Sequence, residues 1–201
     1  MRAFDVSGCR TEIVRPGKPL GVWAAEHNPF AVCNASLYNF ATRVPIGTII
    51  EGGELVHNDG NGYGFGIMPM GTPGFGMPWD RSWKDYLTGY NSPVQGGAYI
   101  APPFADRYVF ECRLARIGIG QAGGRLVIVT DDYVTLKEFA QNAIKAGLDT
   151  LVNLDGGGSR HLVYARETVY SSQRVPYNAI AFYKDMPCEY CTEDGRCSKW
   201  N

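Results

Sequence analysis

The chain has 201 residues, 45% of them hydrophobic and 19% charged, with a formal net charge of -1. That is enough apolar material for one substantial core, and the near-neutral charge argues against a dedicated binder of nucleic-acid polymers, which would carry a basic stripe. There is no run of about 18 apolar residues, so membrane insertion through a spanning helix is not expected.

The opening MRAFDVSGCR lacks the apolar stretch of a signal peptide. The six cysteines (Cys9, Cys33, Cys112, Cys188, Cys191, Cys197) pull the other way, because so many suit disulfides in an oxidising compartment. An extracytoplasmic or virion-associated setting is therefore expected from the cysteines, with reduced thiols as the alternative and no single disulfide connectivity selected. Gly21 to Ala25 and Phe30 to Cys33 are short apolar runs in a region that reads as strands and loops. Ile46 to Glu51 and Glu54 to His57 flank Gly52-Gly53, which predicts a hairpin with a primed turn. Residues 60 to 96 mix glycine, proline, methionine and aromatics without a period of two or 3.6. They read either as a functional loop or as a poorly periodic strand pair with an exposed connection. Tyr63, Phe65, Phe75 and Trp79 can stack on a sugar ring or form a satellite hydrophobic cluster.

The second half is better patterned. Arg107 to Arg116 alternates charged and apolar positions, as a half-buried strand does, and Arg125 to Thr130 (RLVIVT) reads as a buried strand. Thr135 and Glu138 have the spacing of a capping box. Leu136, Phe139, Ala140, Ala143 and Ile144 share a face, and Gly147 stands where a left-handed C-cap belongs. Strands at Thr150 to Leu154, His161 to Tyr164 and Asn178 to Tyr183 follow. The expected fold is α+β, with strand-rich mixed sheets and one main helix at about 135–147. It forms one domain over 1–186 and a Cys-rich tail over 187–201. Cys188, Cys191 and Cys197 lack a second CxxC or a nearby histidine, so zinc is a weak reading of the tail.

Between two of these strands stands NLDGGGS, Asn153 to Ser159. Three consecutive glycines either make a turn no side chain allows or let a ligand approach the backbone. NLDGGGS, preceded by a capped helix and followed by RVPYNAIAF, resembles the phosphodiester glycosidase family. CNASLYNF, PIGTIIEGGELV, VQGGAYI and RIGIG resemble other segments of that family, in its order, over about residues 30 to 183. Ala35 stands where the family usually has glycine, Leu37-Tyr38 replaces paired phenylalanines, and Arg160-His161 follows the serine. These departures bear on the substrate rather than on the fold.

The resemblance implies hydrolysis of a sugar-1-phosphodiester between the anomeric carbon and a phosphate oxygen. The leaving group departs as a stable anion, so charge stabilisation is the main task. Arg116 is the expected phosphate-binding cation. Gly156, Gly157 and Gly158 can supply an anion-binding nest of N–H groups, and Ser159 a hydroxyl. Asp155 is the expected nucleophile or base, with Asp131, Asp132 and Glu51 as candidate second acids. Asn34, Gly97 and Asn178 are expected binding residues by family position. Each has a structural alternative: Asp155 as a turn brace, Arg116 as a strand-end charge, the asparagines as turn formers. His161 reads as structural rather than as a proton shuttle. No cofactor is required, although Asp131 and Asp132 can hold a divalent ion. The expected partner is a small-molecule or glycan phosphodiester. A binding module without turnover, or a structural virion or cell-surface component, are the other classes.

Overall fold

The computed structural model describes residues 1–39, 41–58, 62–89, 92–101 and 110–184. Among these, sixteen strands form three sheets, and every strand pair is antiparallel. The expectation of mixed sheets is thus corrected. Its physical reason lies in the glycine pairs: Gly52-Gly53, Gly96-Gly97 and Gly123-Gly124 all have positive φ. Two-residue turns of that kind can join only antiparallel neighbours.

The first sheet runs β1 (Arg2–Asp5), β12 (Arg125–Val134), β11 (Leu114–Ala122), β13 (Thr150–Asn153), β9 (Val94–Gln95) and β10 (Ala98–Tyr99). The second runs β15 (Glu167–Tyr170), β14 (Leu162–Tyr164), β3 (Ala31–Asn34), β16 (Ala179–Tyr183) and β2 (Arg10–Val14). The third runs β5 (Glu54–Asn58), β4 (Thr48–Glu51), β8 (Asp85–Thr88), β6 (Gly64–Ile67) and β7 (Pro73–Gly76). Their inner faces share one core. Ile117, Ile119 and Val152 come from the first sheet, Cys33, Ile180 and Phe182 from the second, and Ile49, Phe65 and Leu87 from the third.

Each of the first two sheets carries a helix on its outer face. The capping box forms as its spacing predicts: Glu138 N donates to Thr135 Oγ1 at 3.2 Å, and Thr135 N to Glu138 Oε2 at 2.9 Å. The helix it starts, Leu136–Lys145, lays Leu136, Phe139, Ala140 and Ala143 against Val127, Val129 and Leu151. A second helix, Leu20–His27, was not expected, because its residues read as a short apolar run. It buries Leu20, Trp23 and Ala24 on Val32, Val163 and Ala181. Pro19 at its N-cap offers no side-chain hydrogen bond, so packing rather than local capping forms it. In chain order these helices are α1 (Leu20–His27) and α2 (Leu136–Lys145). Neither is long and apolar enough to cross a membrane.

Two further expectations change. Strand β11 begins at Leu114, with a turn at 111–112 and helical backbone at Phe110, so the alternation from Arg107 does not mark a continuous strand; 107–109 lie outside the described residues. The region from 60 to 96 holds three strands of the third sheet rather than a loop. The tail expected at 187–201, with Cys188, Cys191 and Cys197, lies outside the described residues. Cys9, Cys33 and Cys112 are thiols, not disulfides, and burial pushes the Cys33 thiol up to about 12.

Candidate functional site

Strands β3 and β13 belong to different sheets, and their C-terminal ends meet. Leu154 N donates to Ile117 O at 2.9 Å, continuing the ladder on β11, and Asp155 N donates to Ala35 O at 2.8 Å. Asn34 strengthens the junction. Its Nδ2 donates to Asp155 O at 2.6 Å, and its Oδ1 accepts from His161 N at 2.7 Å. One side-chain amide therefore holds both ends of the 155–161 loop. Asn178 Oδ1 accepts from Ser36 N at 2.8 Å, fixing the chain after Ala35. Asn34 and Asn178 are both buried, and each bonds to backbone far away along the chain rather than to its own turn.

The three glycines differ in their reasons. A Cβ on Gly156 would lie 2.4 Å from Ala115 O, so only glycine lets the loop cross β11 there. Gly157 has φ +57, the left-handed region that favours glycine. A Cβ on Gly158 would meet the Arg174 guanidinium at 3.0–3.3 Å. A short 3-10 turn follows over Gly157–Ser159, closed by Ser159 N donating to Gly156 O and Arg160 N to Gly157 O. The N–H groups of Gly156, Gly157 and Gly158 donate to no acceptor among the described residues. Three adjacent amides without acceptors are what an anion-binding turn requires.

Charge is arranged around that turn. Burial raises the Asp155 carboxyl to about 6, against the opposing effects of the Ser159 hydroxyl bonded to it and the positive charge of Arg174. Arg174 Nη1 donates to Ser159 Oγ at 3.1 Å, which leaves the hydroxyl proton for Asp155. Ser172 latches the group, its Oγ donating to Gly158 O at 2.8 Å and accepting from Arg174 N at 3.2 Å. Asp155, Ser159 and Arg174 thus form one linked acid, hydroxyl and cation beside the glycine amides. Sequence reasoning did not single out Arg174. It opens the RVPYNAIAF segment, and nothing local in that stretch marks it apart from other surface arginines.

Arg116 sits differently. Ile117 and Ile119 point into the shared core, while Gly118 faces Phe139 of α2, so Arg116 projects on the helix side of β11. Its Nε donates to Val134 O at 3.2 Å and its Nη2 to Cys112 O at 2.9 Å. Burial lowers its pKa from the usual arginine value, yet such a group stays protonated in proteins. Its backbone touches the loop, for its Cα would lie 3.6 Å from a Cβ on Gly156.

The remaining expected residues are dispersed. Gly97 lies in the β9–β10 turn, its N–H donating to Asp149 O at 2.9 Å. Asp149 precedes β13 and Asp155 follows it, so Gly97 is at the opposite end of that strand, about 20 Å along the chain direction. His161 Nδ1 accepts from Ser172 N at 2.9 Å, and the ring packs on Gly21 of α1. Burial lowers its pKa, in keeping with a neutral structural histidine. Asp131 accepts from Asn142 at 2.8 Å, Asp132 pairs with Arg160 at 2.6 Å, and Glu51 pairs with Arg15 at 2.6 Å. Among the described residues, no three His, Cys, Asp or Glu side chains cluster as a metal site. Phe65 and Phe75 are buried in the core and Tyr63 packs against it, while Trp79 is exposed.

The sequence matches the model of the phosphodiester glycosidase family over residues 27–183. No curated protein sequence matches it significantly. Among solved structures it is similar to the catalytic domain of zebrafish N-acetylglucosamine-1-phosphodiester alpha-N-acetylglucosaminidase, auto-inhibited by its pro-peptide. That match has a TM-score of 0.72 at 18% identity, covering 88% of this chain and 73% of that one. A hypothetical protein from Synechocystis matches with a TM-score of 0.74 at 13% identity, over 89% of this chain and 57% of that one. These likenesses carry the fold, and the family match extends from the end of α1 through β16, taking in the glycine turn, Arg116 and Arg174. The chain belongs to the phosphodiester glycosidase family.

Proposed function

We propose that this chain hydrolyses a sugar-1-phosphodiester at the bond between the anomeric carbon and the phosphate oxygen. The substrate class is N-acetylglucosamine-1-phosphodiester-like, or another phosphate-linked glycan or nucleotide sugar. Water adds to the anomeric carbon, the C1–O bond breaks, and the products are a free sugar and a phosphate monoester, or a nucleoside diphosphate where the substrate is a nucleotide sugar. The observation that carries this reading is the Asp155–Ser159–Arg174 linkage beside three glycine N–H groups that have no acceptor among the described residues. The amides and the Arg174 guanidinium suit a phosphate whose leaving oxygen gains charge. Asp155 supplies the carboxylate that receives or shields the positive charge developing at carbon, as nucleophile or as base. Arg116 adds a buried cation on the far side of β11, behind the turn.

A carboxylate next to a phosphate site favours turnover over mere binding, because the two anions repel. Hydrolysis of UDP-N-acetylglucosamine and of an aryl phospho-N-acetylglucosamine, by the wild type and by Asp155→Asn, tests this. Free sugar from the wild type, with about 10²–10⁴-fold less from the variant, is the expected result. Ligand-induced melting shifts with no turnover in either protein would instead favour a binding module.

A further inference from the structure

At the end of β12, the strand that pairs with Arg116, the backbone is irregular. From Arg116↔Asp131 to Leu114↔Val134, β11 advances two residues while β12 advances three. The extra residue lies at Asp132 or Tyr133, and Tyr133 has φ +53. A bulge with its first residue in the left-handed region is ordinarily built on glycine, because a side chain there crowds the backbone. Of the five non-glycine residues with positive φ among those described, Tyr133 alone lies inside a strand. Its carbonyl is held by Arg113 Nη1 at 3.2 Å, and its ring is left 72% exposed. A bulky aromatic thus occupies a position that glycine would take without strain, and it gains no core packing there. Strained residues of this kind cluster at functional sites.

Through its neighbours Tyr133 stands on the end of β12 that the 155–161 loop reaches. The preceding carboxylate, Asp132, pairs with Arg160, the residue after Ser159. We infer that Tyr133 is a stacking platform for a ring-bearing group esterified on the far side of the substrate phosphate. This rests on the phosphodiester reading. Asp155 is only partly exposed, so the sugar reacts against the loop, and the part of the ligand that reaches an exposed ring is the outermost one. A nucleobase, an aryl group or a second sugar all present a face that an aromatic side chain can cover.

Three N-acetylglucosamine-1-phosphodiesters that differ only in the far group (uridine-bearing, aryl and methyl) test the inference with the wild type, Tyr133→Gly and Tyr133→Phe. The wild type should have a lower KM for the ring-bearing esters than for the methyl ester. Tyr133→Gly should reduce that preference about 5- to 150-fold, the size of one aromatic stacking contact, and Tyr133→Phe should keep it. The glycine variant should melt at the same temperature or higher, because glycine suits φ +53. A preference unchanged in Tyr133→Gly, or none in the wild type, overturns the platform and leaves the hydrolase reading standing. A wild type that neither cleaves the three esters nor shifts its melting temperature with them overturns that reading, and the platform with it.

Discussion

Two glycine-rich regions of this molecule look alike in sequence and behave as opposites. In the third sheet, Gly64 and Gly66 alternate with Phe65 and Ile67 on β6, and Gly74 and Gly76 alternate with Phe75 on β7. Their backbone groups are engaged in ladders, Gly64 pairing with Thr88 and Gly76, and Gly66 with Tyr86 and Gly74. The faces they leave bare are covered by aromatic rings: a Cβ on Gly66 would lie 2.5 Å from the Trp83 ring, and one on Gly64 2.8 Å from that of Tyr86. In the turn at 156–158 the amides have no acceptor among the described residues, and the neighbours are a guanidinium and a carboxyl. Glycine content alone therefore does not mark a site. What distinguishes the two is where the N–H groups go and what stands over the missing side chain.

Substitutions can break this contrast from either side. The largest effect is expected from Arg174→Ala, which removes the cation beside the turn. Turnover of a sugar-1-phosphodiester should fall about 10²–10³-fold, as for loss of one preorganised donor. A steady-state assay at matched folded fraction checks it, and an unaltered kcat/KM would remove Arg174 from the site. Gly66→Ala should act on stability instead. The added methyl meets Trp83 and Asp85 O, and a loss of about 3 kcal/mol in urea unfolding is expected. Ligand binding by the folded fraction should be unaffected.

A smaller effect links chemistry to folding. Asp155 moves from its ordinary 3.8 to about 6 on folding. Between those values the folded chain holds a proton that the unfolded chain releases, so stability falls as pH rises from about 4 to 6. Asp155→Asn escapes that fall. It should be more stable than the wild type at pH 7, on the order of 3 kcal/mol, with the gap closing below pH 4. Melting temperatures across that range decide it, and a gap that does not depend on pH would mean that Asp155 ionises normally. If Asp155 works as a carboxylate, wild-type turnover should also rise with pH through about 6. The smallest effect expected is Thr135→Ala, which removes the cap of α2 and should cost about 1 kcal/mol without touching the turn.

What could be read from the sequence follows how local each signal is. The α2 helix was legible because its cap, its apolar face and Gly147 lie within 13 residues, and the Gly52-Gly53 hairpin because two residues define it. Strand β6 was obscured because glycine stands at the positions where alternation would show, and the rings that cover it come from 83 and 86. Helix α1 has no side-chain cap to announce it. Asp155 and the glycines were visible as a motif. Arg174 was not visible as their partner, since 15 residues separate it from Ser159 and only the packing of the 155–161 loop against the 172–174 segment joins them.

By itself the sequence determined the family, the α2 element, the tight antiparallel turns and the residues of the glycine loop, because each depends on near neighbours and backbone preference. Tertiary structure alone decided that three sheets share one core. It also decided that Asn34 holds both ends of the loop, that Arg174 rather than Arg116 reaches Ser159, and that Gly97 lies at the far end of β13. Those outcomes depend on hydrogen bonds and burial between segments far apart in the chain, 127 residues in the case of Asn34 and His161, and no local preference encodes such a distance.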